Sequence, residues 1–480
     1  MPGERALQGE HASQRIAQPD EVRRRFNDLF VQDPEMAVAY LHDLGVAGGY
    51  LNPSADARNI CWTAPSDYGT LECTINLAKP EKDPRDIAQA SAQGSARTCA
   101  ERADASESAP QLPCASSAIP QCDLCWENEG YPGCASHPAK PGLRIAAITL
   151  GGETWGLQYS PYAYFQEHCI VISQEHRPMK VDDACFARLL DFVDKFPFYF
   201  VGSNAGLPIV GGSILSHDHY QGGRHTFALM RAPVERNFTL PETPGVRCGI
   251  VRWPASTIRL QSADRAALLA AASKILATWN DYSNQRCGIL AHSTNAAGER
   301  VAHNAVNPIA RRTQSGYIFD LVLRNNRTDS EHPWGIFHPA EQLHHIKREN
   351  IGLIEIMGLA ILPPRLAREL PAVESVLLDS AQRGIPAHAV AQRLRENAET
   401  RAHAPWAAEI YSRRVRDILA ARCGGVGARK DKGGDMSSYM EEEVARVFAA
   451  VLHATGVFKR DSAGRAGWDD FLNVSKGRVH

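Results

Sequence analysis

Asn204-Ala-Gly-Leu-Pro-Ile-Val-Gly-Gly-Ser-Ile-Leu-Ser-His-Asp-His-Tyr-Gln-Gly-Gly223 concentrates polar and permissive residues in a way no packing role requires. His217, His219 and Gln221 are spaced by two, so on a strand their side chains share one face and form a compact polar site. The pairs Gly211-Gly212 and Gly222-Gly223 bracket them, letting the backbone approach a ligand closely and leaving amide groups free for phosphate oxygens. A single histidine on a strand is ordinarily a packed residue. Two of them with a glutamine between glycine pairs imply a bound ligand.

Outward from this stretch the pattern is strands with helices inserted singly. On the N-terminal side lie strands near Arg144 to Leu150 and His168 to Ser173, a helix from Asp182 to Phe196 closed by Pro197, and a strand from Phe198 to Ser203. On the C-terminal side an apolar strand is predicted near Phe227 to Met230. After Pro233 the pattern restarts: strands near Gly249 to Trp253 and Thr257 to Leu260, a long helix from Ala263 to Asn280, a strand from Tyr317 to Leu323, and the stretch Asn350 to Leu362. This arrangement predicts an α+β fold with two halves of similar make-up and a mixed or antiparallel sheet. Further out, Glu21 to Leu44 has helical apolar spacing, and Leu71 to Leu77 alternates as a half-buried strand. Residues 86–121 are rich in Ala, Ser, Gln and Pro and predict a flexible insertion; Gly424 to Gly434 reads as a linker before a helix from Met440 to Thr455. The division expected is 1–233, 234–423, and a C-terminal extension 424–480.

The 480 residues are 44% hydrophobic, enough for a substantial core, and the formal net charge of -2 gives no reason to expect nucleic acid or an anionic membrane as partner. Met1 to Arg25 lacks the apolar core of a signal peptide or anchor, and Ile351 to Leu362 is too short to span a bilayer and contains Glu355. A cytoplasmic protein acting on small molecules is expected. The twelve cysteines are scattered, and most read as small buried hydrophobes.

Cys122-Asp-Leu-Cys125 has the turn spacing for two thiolates on one tetrahedral metal, without the second Cys-x-x-Cys of a zinc ribbon. Spacing alone leaves the remaining ligands open among His168, His176 and His217, with Cys134 a further candidate. His303 to Arg312 and Arg324-Asn-Asn-Arg327 offer donors suited to phosphate or ribose, although exposed arginines are usually solvated. His338, His344, His345 and Lys347 read as ligand contacts, a second metal site, or simply surface groups.

Residues 204–223 resemble the active-site signature of type 2 galactose-1-phosphate uridylyltransferases, a branch of the histidine-triad superfamily. So do Ile75-Asn-Leu-Ala-Lys-Pro-Glu-Lys-Asp-Pro84, the Cys122 to Gly133 stretch, Tyr159-Ser-Pro-Tyr162 and Lys347-Arg-Glu-Asn-Ile-Gly-Leu-Ile-Glu355. The resemblance implies two histidine-triad-like halves, each a mostly antiparallel sheet with packed helices. It implies UDP-glucose and galactose 1-phosphate as substrates, a covalent uridylyl-histidine intermediate, zinc, no organic cofactor and a homodimer. By motif, His219 becomes the nucleophile and Gln221 its phosphate-contacting partner, while Cys122, Cys125, His176 and His217 become the metal set. Asn204, Gly211, Gly212, Ser213, Ser216, Arg311 and Arg324 are the implied substrate contacts. In the type 1 branch of the family the signature is His-Pro-His-x-Gln; this chain has Asp218 where that proline stands, on the opposite strand face with a structural role expected. It also has Ala340 where similar sequences suggest histidine. Two other functions fit part of the pattern. A nucleoside-phosphate hydrolase or phosphorylase would share the core, although a third histidine in place of Gln221 would suit hydrolysis better. A non-catalytic zinc protein would explain the cysteines but not His219 and Gln221.

Overall fold

A computed structural model describes residues 17–79, 81, 119–135, 137–423 and 436–477. The insertion expected at 86–121 lies outside these residues apart from 119–121, and the Gly424 to Gly434 linker lies outside them entirely.

The N-terminal layer is two helices, α1 (Pro19–Gln32) and α2 (Pro34–Ala47), where one continuous run was predicted. Pro34 cannot continue a helix, and Asp33 caps the second one by accepting the Glu35 N–H at 2.9 Å. A hairpin follows, β1 (Ile60–Ser66) and β2 (Gly69–Ile75). Leu71, Cys73 and Ile75 are buried as their alternation predicts, but Leu77 is exposed. The Asn76 side chain accepts the N–H groups of Ala78 and Lys79 and turns the chain out of the strand.

The body of the protein is one ten-stranded antiparallel sheet. Its first five strands are β3 (Ala146–Leu150), β4 (Glu153–Tyr159), β5 (Cys169–Ser173), β6 (Phe200–Ser203) and β7 (His219–Gly223), with α3 (Asp183–Lys195) between β5 and β6. The second five include β8 (Val234–Phe238), β9 (Arg247–Val251) and β10 (Thr257–Ser262). After α4 (Arg265–Asp281) and a small hairpin, β11 (His292–Thr294) with β12 (Arg300–Ala302), come the long strands β13 (Asn304–Thr313) and β14 (Gly316–Asn325). The order across the sheet is β3-β4-β5-β7-β6-β13-β14-β10-β9-β8. Each half is thus a three-stranded meander, then its fifth strand, then its fourth, with a helix between the third and fourth. The expected α+β class and paired halves are present. The two sheets are fused, however, because the fourth strands meet antiparallel at Gly202/Ile309, Val201/Ala310 and Phe200/Arg311. That pairing satisfies backbone groups that two separate sheets would leave on open edges.

Gly156, Ile172 and His219 lie opposite one another across β4, β5 and β7; Gly249, Arg259 and Asp320 do so across β9, β10 and β14. Asp320, opposite Arg259, is fully buried between Arg259 and Arg311.

Helices α3 and α4 pack on one face of the sheet, through Phe186, Leu189 and Phe192 from α3 and Leu268, Ala272 and Ile275 from α4. Tyr220 and Trp155 belong to this core, stacked at 4.7 Å, so His219 and Gln221 face the other side. That side is covered by the N-terminal hairpin, completed by β15 (Leu359–Leu362) parallel to β2, and by helices α5 (Leu366–Gln382), α6 (Ala387–Glu396), α7 (Ala404–Cys423) and α8 (Ser438–Thr455). A final helix, α9 (Ser462–Ser475), packs Phe471 against Trp279 and Tyr282 at the end of α4. The strand predicted near Phe227 to Met230 is instead a short helix, Ala228–Arg231; its Leu229 carbonyl and that of the following Ala232 are taken by the Arg259 guanidinium. Among the described residues no helix is long and apolar enough to cross a membrane.

Candidate active site

Cys122 and Cys125 flank a tight turn fastened by Asn128, whose side-chain N–H groups reach both cysteine carbonyls at 2.8 Å. This aims the sulfurs together, 3.6 Å apart. His217 Nδ1 lies 3.3 Å from Cys122 Sγ, and His176 Nδ1 lies 3.1 Å from Cys125 Sγ. All four donor atoms fall within 4.8 Å of one another. A tetrahedral ion about 2.3 Å from each sulfur and about 2.0 Å from each nitrogen needs edges of this size. His217 Nε2–H donates to the Ser173 carbonyl at 3.0 Å, so its Nδ1 carries a lone pair toward the sulfurs. A hydrogen bond from Cys122 holds the Cys125 thiol well below the usual thiol range, with His217 and His176 adding to the effect; Cys122 keeps the shared proton and is pushed up. The set can bind a metal ion. Among the described residues it is the one such His/Cys/carboxylate cluster, and His168 and Cys134, left open by spacing, are outside it.

His217 also orients its neighbour but one. Its carbonyl accepts the His219 Nδ1–H at 2.8 Å, which fixes the tautomer and leaves the lone pair on Nε2. Burial lowers the His219 pKa to about 4, so the ring is neutral, and among the described residues Nε2 makes no hydrogen bond. Strand β7 begins at His219, so only His219 and Gln221 share its face; His217 precedes it and turns to the sulfurs. The Asp218 carboxylate lies 3.6 Å from Arg177 Nε and is raised by burial to about 6.

Gln221 has a partner that sequence reading did not supply. Its Oε1 is 3.1 Å from His168 Nε2, while His168 Nδ1 is 2.8 Å from the Tyr162 carbonyl. The imidazole lies against Tyr164 and Phe165, with ring centroids 5.2 and 4.7 Å away. His168 stands just before β5, whose Ile170 pairs with Gln221, but that cross-strand pairing is invisible in the sequence.

The loop after β6 forms the rim. Asn204 Oδ1 accepts the Leu353 N–H at 2.8 Å, tying the rim to the second half. Gly212 lies on Asn204 so closely that a Cβ would come within 2.7 Å of the amide nitrogen. Ile209 holds a φ of 71°, an unfavourable conformation for a β-branched residue, in this same loop. Leu353 opens a short helix whose preceding Gly352 N–H is bound by Glu355. Behind it the fully buried Lys347 donates to Glu355, Glu349 and the Ile361 carbonyl at 2.8 to 3.0 Å, and Lys79 reaches Glu349 at 2.9 Å. Burial opposes these charges, but Lys347 and Lys79 hold Glu349 down at about 2.

Arg324 is different. It is 1% exposed, donates to Asn307 Oδ1 at 2.8 Å and the Ile351 carbonyl at 3.0 Å, and its Nε is buried without a partner. Burial pulls its pKa down to about 10, with Glu355 opposing from a distance. It is a buried cation with no carboxylate bonded to it.

The other sequence candidates are placed as follows. Ser213 is exposed and Ser216 half-buried on the rim beside Gly211. Arg311 is engaged by Asp320, four residues along β13 from Asn307, so its donors serve the ion triad. His303 bonds Asn326 and Ser293, and Arg327 bonds the Gly288 carbonyl. His338, His344, His345 and Lys347 do not form one cluster: the first two meet at the Pro339 carbonyl, His345 pairs with His403, and Lys347 is held by Glu349 and Glu355.

Comparison with known proteins matches two family models. Galactose-1-phosphate uridyl transferase, N-terminal domain, covers residues 13–178, and the C-terminal domain of the same transferase covers residues 192–398. A galactose-1-phosphate uridylyltransferase of Caldanaerobacter subterraneus is 42% identical over 457 residues, 95% of this chain and 80% of that protein. One from Lactiplantibacillus plantarum is 44% identical over 454 residues, 95% of this chain and 82% of that protein. Among solved structures, a crystal structure of yeast Ap4A phosphorylase Apa2 aligns with 71% of this chain and 88% of its own, at 10% identity and a TM-score of 0.34.

Proposed function

Because the chain belongs to the galactose-1-phosphate uridylyltransferase family, we propose that it carries UMP from UDP-glucose to galactose 1-phosphate by two displacements at His219. Transfer of UMP in galactose metabolism is the activity of the family. The double displacement and the residue roles are our reading. The observation that carries it is the His219 ring: Nδ1–H fixed on the His217 carbonyl, Nε2 unprotonated and without a hydrogen bond among the described residues.

In the first displacement Nε2 attacks the phosphorus of the uridylyl group, a nitrogen–phosphorus bond forms, and the bridging oxygen leaves with glucose 1-phosphate. In the second, a phosphate oxygen of galactose 1-phosphate attacks the same phosphorus, the nitrogen–phosphorus bond breaks, and UDP-galactose forms. Both leaving groups are stable anions or a neutral imidazole, so no strong general acid is needed. Gln221 is placed two residues along the same face to hydrogen-bond the phosphoryl group, and its neutrality prevents it from activating water. Arg324 supplies positive charge for phosphate, Asn204 with Gly211 and Gly212 shapes the rim, and Ser213 and Ser216 stand beside it. We assign zinc to Cys122, Cys125, His176 and His217, whose two sulfurs and two imidazoles suit that ion; bound there it would fix His217 and through its carbonyl the tautomer of His219. The two halves, 1–233 and 234–423, are read as a duplicated unit in which only the first keeps the nucleophile, a reading supported by the shared strand order.

Isotope exchange tests this reading. With labelled glucose 1-phosphate and UDP-glucose alone, the protein should exchange label without galactose 1-phosphate, and denatured protein should carry one UMP on the His219 peptide. Absence of both in protein active for overall transfer rules out the covalent route.

A further inference from the structure

Two acceptors face the two nitrogens of one buried ring. The Tyr162 carbonyl, 2.8 Å from His168 Nδ1, can only accept; Gln221 Oε1, 3.1 Å from Nε2, also accepts as placed. A neutral imidazole carries one N–H and can serve only one of them. The carbonyl is fixed by the backbone, so a neutral His168 puts its proton on Nδ1 and presents a lone pair at Nε2. The Gln221 amide must then turn over, giving its NH2 to His168 and its oxygen to whatever occupies the site. Only the imidazolium bonds both acceptors and keeps the NH2 of Gln221 free.

We infer that His168 is a positioning residue that takes up a proton when the nucleotide phosphates bind, and so holds the NH2 of Gln221 toward the phosphoryl group. The inference rests on the placement of Gln221 at that group proposed above. An amide oxygen turned to anionic phosphate would repel it, whereas an amide NH2 attracts it, so arrival of the ligand favours the protonated state.

The surroundings explain why the proton is absent beforehand. His168 is 3% exposed and burial lowers its pKa. Tyr164 lies against its ring, Cys169 follows it in the chain, His219 shares a strand with Gln221, and His225 lies beyond Phe165, 5.5 Å from that ring. None of these brings a negative charge to His168 in its neutral setting. The carboxylates of the packed elements are held elsewhere: Glu167 by Tyr199 and Arg224, Glu72 by His225 and Arg231, Glu349 and Glu355 by Lys347. The missing counter-charge is supplied by the diphosphate of the ligand.

Two measurements decide the matter. In a His219→Asn background, which keeps UDP-glucose unreacted, calorimetry in two buffers of different ionisation enthalpy counts the protons taken up on binding near neutral pH. Uptake is expected, and it should vanish when His168→Gln is added; zero uptake, or uptake unchanged in the double variant, overturns the inference. In otherwise wild-type protein, kcat should fall as pH rises on the alkaline side. His168→Gln, whose amide donates without titrating, should lose that limb while running about tenfold slower at the optimum. The same limb in both proteins also overturns it. If wild-type protein is active yet forms no uridylyl adduct, the reading of His219 fails; if the adduct forms and the limb is unmoved by His168→Gln, only the role of His168 fails. Should His168→Gln not fold, His168→Asn in the same His219→Asn background takes its place, and uptake that survives that substitution, like zero uptake without it, overturns the inference.

Discussion

Replacing Arg324 by methionine should cost function and spare the fold, the reverse of what a packed arginine would do. Burial lowers the Arg324 pKa from 12.5 to about 10, and at about 1.4 kcal/mol per unit this means the ligand-free protein carries a penalty of about 3 kcal/mol for holding the charge. The sign follows from the direction: a cation with a lowered folded pKa destabilises at every pH below that value, so the penalty is present in full at pH 7 and fades only as pH rises toward the unfolded value. Methionine removes the charge and keeps most of the volume. It also gives up the bonds to Asn307 and the Ile351 carbonyl, each contributing about 1 to 2 kcal/mol. The two effects nearly cancel, so the midpoint of thermal unfolding without ligand should move little. With ligand the balance changes, because a phosphate bonded by a buried guanidinium loses a charge-assisted contact, and kcat/KM should fall by about a hundredfold or more. Thermal unfolding with and without UDP-glucose, alongside steady-state kinetics, gives both numbers. A variant several kcal/mol less stable, with undiminished kcat/KM and stabilisation by UDP-glucose, would refute the assignment.

Asp320→Asn should destabilise the protein by about 3 to 5 kcal/mol in urea unfolding, because it leaves Arg259 and Arg311 charged and unpaired in the core. Burial opposes the Asp320 charge but the two arginines lower its pKa, so its stabilisation is full above the unfolded value and lost as pH falls through the folded one; the variant should lack that part of the acid dependence. Cys122→Ser and His217→Asn should each reduce bound metal below one ion per chain by elemental analysis, and unchanged stoichiometry in both would show that the metal lies elsewhere. Gly212→Ala should slow transfer by about tenfold or more at a stability cost of about 1 to 3 kcal/mol, since the new methyl group must displace Asn204 from Leu353; normal kcat would mean the rim tolerates that shift.

The site was readable where chemistry demands particular residues at short spacing. His219 and Gln221 are two apart on one strand, and Cys122 and Cys125 three apart on one turn, so local geometry suffices. The second pair of metal donors was not: His176 and His217 reach the sulfurs from two different connections, and only the family resemblance separated them from His168. The partnership of His168 with Gln221 was missed for the same reason, being a cross-strand contact 53 residues apart. Strand β4 was missed although Trp155, Leu157 and Tyr159 alternate with Thr154, Gly156 and Gln158; the interior Gly156 and the preceding Gly151-Gly152 weaken its strand signal. The donor run His303 to Arg312 carries no strand signal, because Asn304, Asn307, Pro308 and Arg311 contradict strand propensity, yet it forms most of β13; the buried strand uses Asn307 for Arg324 and Arg311 for Asp320. The fusion of the halves had no local signature at all, since three rungs between Phe200–Ser203 and Asn304–Thr313 depend on the completed sheet.

The parallel pairing of β15 with β2 has a consequence for the chain as it is made. During translation Ile75 emerges roughly 280 residues ahead of Leu359, which at about 5 to 20 residues per second is a delay of about 15 to 60 s. Through that interval the hairpin offers the row of amide and carbonyl groups on β2 that Leu359 to Leu362 will later occupy, together with the apolar face of Leu71, Cys73 and Ile75. A nascent chain holding an open edge for so long is exposed to co-translational aggregation, and a slowed ribosome lengthens the exposure.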